Sequence, residues 1–100
     1  MTDRNRALLL AQGLGIVVLI KRTADNPRKV ELELCPGYGL RATGRPYFRC
    51  KTWKKALAFL EDFGAASKAP CEPGVFPNPA FLAFLKDRCP EITIDGHWLR

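Results

Sequence analysis

A single histidine, His97, occurs among the 100 residues, so neither a histidine-based metal cluster nor a histidine pair can form within one chain. Cys89 and Asp95 are close to it in sequence and are the residue types of a nucleophile–base arrangement, but a structural or exposed histidine is the expected reading. The cysteines stand at 35, 50, 71 and 89, with no C-x-x-C pair and with intervals of 15, 21 and 18 residues that fit no zinc-ligand spacing. Export would allow these four to form two disulfides in three pairings; reduced thiols are the preferred reading, with Cys35 and Cys50 as small hydrophobes inside strands. The stretch "GYGLRATG" has neither the G-x-x-x-x-G-K-[ST] phosphate loop nor the G-x-G-x-x-G dinucleotide pattern. Glu61 and Asp62 stand side by side at a helix end, as solvated acids do. The expectation is a protein without catalytic residues, metal or cofactor.

Long apolar runs are also missing. The longest uncharged stretch, residues 7–20, has 14 residues and includes Gln12. A helix crossing a membrane needs about 20. Arg4 and Arg6 before the run imitate an export signal, but it ends in Lys21, Arg22, Thr23, Ala24 and Asp25 without a small-x-small cleavage site. Two elements account for it better. Residues 6–12 are rich in Ala and Leu and predict a short helix that Gly13 and Gly15 terminate. Residues 16–20, IVVLI, are apolar on both faces, as a central strand is. The reading is a soluble cytoplasmic domain with no integral membrane span.

What is present describes a folded chain. It is 47% hydrophobic and 26% charged, ordinary for a globular protein, and its length predicts one domain over residues 1–100. Asp25, Asn26 and Pro27 form a turn cluster, and "KVELEL" then alternates. Val30, Leu32 and Leu34 face one way, and Lys29, Glu31 and Glu33 face water, which predicts an antiparallel hairpin with the preceding strand. A glycine- and proline-rich loop covers residues 35–46. A third strand follows, with Phe48 and Cys50 inward and Tyr47, Arg49 and Lys51 outward.

Thr52 suits the N-cap of a helix carrying Trp53, Ala56, Leu57, Leu60 and Phe63 on one face, with Gly64 at its end. Residues 64–79 form a proline-rich loop, and Asn78-Pro79 starts another helix that buries Phe81, Leu82, Phe84 and Leu85 before Pro90. Ile92, Ile94 and the Asp95-Gly96 turn predict a short final strand. The order α-β-β-β-α-α-β is an α+β domain: an antiparallel sheet of three to four strands with two to three helices mainly on one face.

Charge is unevenly placed. The net charge is +6, yet residues 21–55 hold ten of the sixteen Lys and Arg against three acids, so this window is +7 and the rest is −1. The candidate anion-binding residues are Arg28, Lys29, Arg41, Arg45, Tyr47, Arg49, Lys51, Lys54 and Lys55, with Tyr38 and Tyr47 available to stack on bases. Lys54 and Lys55 sit in a helix's first turn, where cations oppose the helix dipole and phosphate is welcome. Against this reading, Glu31 and Glu33 can pair across the sheet with Arg49 and Lys51.

Three strands, a threonine and an amphipathic helix, over residues 16–63, resemble in outline the arm-binding domain of tyrosine recombinases and the plant ethylene-response DNA-binding domain. The likeness implies a sheet inserted into a DNA major groove. It rests on topology and basic content, and the plant family's Trp and Arg positions are not matched.

The function expected is that of a small non-enzymatic nucleic-acid-binding domain using a basic sheet face and loop. The alternative is a protein-interaction module, an inhibitor or adaptor of phage or mobile-element type, that covers an acidic or nucleic-acid-binding surface of a partner. Val75, Phe76, Phe81, Phe84 and Trp98 would then form an interface patch or a homodimer contact in place of core.

Overall fold

Thr2 opens the first helix by accepting the Asn5 N–H on its hydroxyl at 3.2 Å. With that cap and Asp3 in the first turn, α1 (Asp3–Leu14) begins three residues before the alanine–leucine stretch. It runs through Gly13 and stops at Gly15, whose φ of 71° lets its N–H turn back onto the Ala11 and Gln12 carbonyls. A computed structural model of the chain describes residues 2–22, 25, 29–37, 45–70 and 78–92.

Three strands form one antiparallel sheet in the order β1 (Ile16–Arg22), β2 (Val30–Pro36), β3 (Phe48–Cys50). The expected hairpin is present, with Ile16 opposite Pro36 and Arg22 opposite Val30. Among the described residues β1, however, is an edge strand. Apolar residues on both faces predict a central strand, but in the described sheet β2 alone has neighbours on both sides, and Val17, Leu19 and Ile20 stay 40–44% exposed. β2 is correspondingly buried on both faces: Leu32 and Leu34 lie under the helices, and on the other face Cys35 is buried, as a small hydrophobe would be, together with Glu33, for which alternation predicts water.

Thr52 caps α2 (Trp53–Ser67), its hydroxyl accepting the Lys55 N–H at 3.2 Å. Gly64 does not end this helix. It is buried within it and faces the Leu14 side chain of α1, with which a Cβ at this position would make an ordinary contact at 3.7 Å.

Asn78 starts α3 (Pro79–Arg88) by accepting the Ala80 N–H at 2.9 Å. Its amide nitrogen also donates to the Ala66 and Ala69 carbonyls, which holds the start of α3 against the end of α2. From there α3 runs antiparallel to α2, with Phe81 edge-on to Phe63 at 5.0 Å and Phe84 5.5 Å from Phe59. Phe48 stacks flat on Phe59 at 4.5 Å, which joins sheet to helices. Leu85 and Cys89 are buried, and Phe81 and Phe84, both half-buried, pack against this core.

The architecture is the expected α+β domain in the order α-β-β-β-α-α. Ile92 packs against the core outside any strand, and residues 93–100, where the final strand is expected, lie outside the described residues. The loop expected over 64–79 is shorter, since α2 runs on to Ser67 and α3 takes in Pro79; its residues 71–77, Cys71 among them, lie outside the described residues. Among the described residues no helix is long and apolar enough to cross a membrane, no metal-holding group of side chains occurs, and Cys35, Cys50 and Cys89 are free thiols.

Candidate nucleic-acid interface

The sheet's outer face carries Val17, Leu19 and Lys21 from β1, Glu31, Glu33 and Cys35 from β2, and Arg49 from β3. Its centre is an ion-pair network. Lys21 Nζ lies 2.9 Å from Glu33 Oε1, and Arg49 Nη1 lies 2.9 Å from Glu33 Oε2 and 3.7 Å from Glu31 Oε1. Arg49 also grips Glu91, just past α3, with Nε at 2.8 Å and Nη2 at 3.0 Å. The Lys21 hydrogen bond holds the Glu33 carboxyl below its ordinary range against the opposing effect of burial, with Arg49 assisting. Glu91 pushes the Arg49 guanidinium further up.

Two cations meet three carboxylates here, so Arg49 is neutralised within the fold. Tyr47 is likewise withdrawn. Alternation extended from the third strand places it on the outer face, but β3 starts at Phe48, and Tyr47 turns inward to lie 5.0 Å from Phe63, 2% exposed. Arg45 is exposed beside buried Pro46. Arg28, Arg41 and Tyr38 lie outside the described residues.

The remaining predicted cations converge elsewhere. β1 ends at Arg22, β2 begins beside it at Val30, and β3, parallel to β1, ends at Cys50 and leads through Lys51 and Thr52 into the first turn of α2. α1 is parallel to α2: Arg4 sits over the Trp53 ring at 5.9 Å at one end, and Leu14 meets Gly64 further along. One end of the molecule therefore gathers Arg4, Arg6, Lys21, Arg22, Lys29, Lys51, Lys54 and Lys55, all exposed, together with the N-termini of two helices.

The acids at this end are Asp3, Asp25 and Glu31, and α2 has none in its first turn. Among the described residues no ion pair engages Arg6, Lys29, Lys51, Lys54 or Lys55. Thr52 takes the Lys55 and Ala56 amides, and among the described residues the Trp53 and Lys54 amides of the first turn have no acceptor. Arg4 and Arg6 fall outside the basic window of the sequence. Only the parallel packing of α1 on α2 brings them to it.

Chemistry beyond charge is sparse. A shallow groove on the outer side of α1 is lined by Asn5, Leu8, Leu9 and Gln12, which supply no acid, base or nucleophile. Burial raises the thiols of Cys35 and Cys50 and pushes that of Cys89 up to about 11, so none is an activated thiolate. His97 lies outside the described residues. No protein-family model, curated protein or solved structure matches this chain.

Proposed function

We propose that this chain is a small non-enzymatic nucleic-acid-binding domain that holds backbone phosphates at its basic end. The observation that carries the reading is the separation of charge. The sheet-face cations Lys21 and Arg49 are matched by Glu31, Glu33 and Glu91, while Arg6, Lys29, Lys51, Lys54 and Lys55 stand exposed without ion-pair partners among the described residues. Cations grouped this way displace condensed counterions from a phosphate chain, and the open amides of Trp53 and Lys54 add donors aligned with the helix dipole. Sheet insertion into a groove is not favoured, because the face that would enter carries a net acidic network.

Fluorescence anisotropy with single- and double-stranded DNA and RNA, from about 50 to 200 mM salt, tests this reading. Affinity should fall steeply with salt. K54E/K55E should weaken binding and reduce the log–log slope by about 2 on duplex DNA, nearly one per lost phosphate contact. Absence of binding at the lowest salt, or an unchanged slope in the double variant, would overturn it. A protein-interaction module remains the second reading, favoured by the exposure of Val17, Leu19 and Ile20. Its mark would be a single protein partner and indifference to nucleic acid.

A further inference from the structure

We propose that β1 is the surface through which two copies of the chain pair, antiparallel and edge to edge, joining two three-stranded sheets into one of six strands. The argument begins with the backbone. Gly37 N–H donates to the Gly15 carbonyl at 2.9 Å, one step beyond the β1–β2 register, so the odd-numbered residues of β1 direct their backbone groups at β2. The N–H and C=O groups of Ile16, Val18 and Ile20 therefore point out along the edge, where among the described residues no strand pairs with them. Edges of this kind are usually blunted by a charge, a proline or a bulge. Residues 16–20 contain no charge and no proline, and their register with β2 is unbroken.

The sequence of this edge specifies a second copy. With a two-fold axis at Val18, Ile16 meets Ile20 of the other copy, Val17 meets Leu19, and Val18 meets itself. The three outward-pointing residues of each copy then fall in hydrogen-bonded pairs, and each cross-strand side-chain pair is apolar. The strand's only charges, Lys21 and Arg22, are both at its C-terminal end. Antiparallel pairing puts the cations of the two copies at opposite ends, whereas parallel pairing would set them side by side. Val17 and Leu19, 44% and 40% exposed on the outer face, and Ile20, 43% exposed on the helix side, are the side chains such pairing covers. The axis is perpendicular to the sheet, so the helices of both copies share one face and the two basic ends point in opposite directions.

Sedimentation equilibrium of the intact chain, combined with amide hydrogen exchange, tests the pairing. The expected mass at high concentration is twice the 11.2 kDa of one chain. The amides of Ile16, Val18 and Ile20 should gain protection as concentration rises. V17K/L19K places lysines directly opposite each other across the axis, while L19K sets its ammonium opposite Glu33 within its own sheet, so the fold is kept. The dimer dissociation constant of this variant should rise tenfold or more. A monomer at all concentrations overturns the proposal. So does a dimer that V17K/L19K leaves intact, or one in which these three amides exchange independently of concentration; that last readout needs no variant.

Discussion

A buried carboxylate needs a partner for each oxygen, and Glu33, a residue 4% exposed, has Lys21 on one and Arg49 on the other. Removing its charge takes from Lys21 its ion-pair partner and from Arg49 one of three carboxylates, and leaves a neutral amide at a buried position. E33Q should therefore cost about 1–3 kcal/mol at neutral pH, the range for a hydrogen-bonded buried charged group. The folded-state pKa of Glu33 is lowered from its ordinary 4.5, so its contribution is complete above about 4.5 and is lost as pH falls through the folded value. Urea unfolding of both proteins between neutral pH and acid checks the sign. The gap between them should be flat above the ordinary value and narrow below it. A gap that widens toward acid would mean that Glu33 is not the ionised member of this network. The sequence carried half of this: Glu31 and Glu33 opposite Arg49 was a visible pairing. Glu91 was not visible, because it reaches Arg49 only through the way α3 folds back.

At the scale of elements, the first turn of α2 has a cation where a helix start favours an anion. Thr52 and Lys55 occupy the two ends of a capping box, and a glutamate at 55 would accept the Thr52 N–H in return. K55E should therefore stabilise the fold by about 0.5–1 kcal/mol, by completing the box and matching the dipole. Thermal unfolding followed by circular dichroism measures it. A substitution that stabilises the protein while weakening nucleic-acid binding would separate the two roles of one side chain; destabilisation would mean that Lys55 supports the fold in a way its exposure does not reveal.

Local chemistry is why this helix was legible. Thr52, the apolar spacing and the Asn78-Pro79 start of α3 are all settled within one or two turns. Gly64 and the edge position of β1 were not, because each depends on what packs against it. A glycine ends a helix only when nothing rewards its continuation, and Leu14 rewards it here. Apolar residues on both faces mark a central strand only when two neighbours exist.

The whole molecule carries +6, and eight of the exposed cations among the described residues gather at one end while the sheet network pairs its charges locally. Composition announced the excess but not its location, since the basic end is assembled from the starts of α1 and α2 and the matching strand ends. The location has a measurable consequence for stability. Repulsion among exposed cations is screened over a distance of about 10 Å at 0.1 M salt, whereas the pairs around Glu33 are partly sheltered and respond less. Raising salt from about 10 to 150 mM should therefore stabilise the protein, by up to about 1 kcal/mol or about 4–8 °C in Tm for a domain of this size.

K54E/K55E lowers the formal charge from +6 to +2 and should flatten that dependence. Sulfate separates screening from site binding. At equal ionic strength it strengthens apolar burial in any protein, so only the excess of its effect on the native chain over its effect on K54E/K55E reports anion binding at this end. Equal sulfate effects in the two proteins would leave the basic end as a source of repulsion alone. A larger effect in the native chain is what a phosphate-holding surface requires.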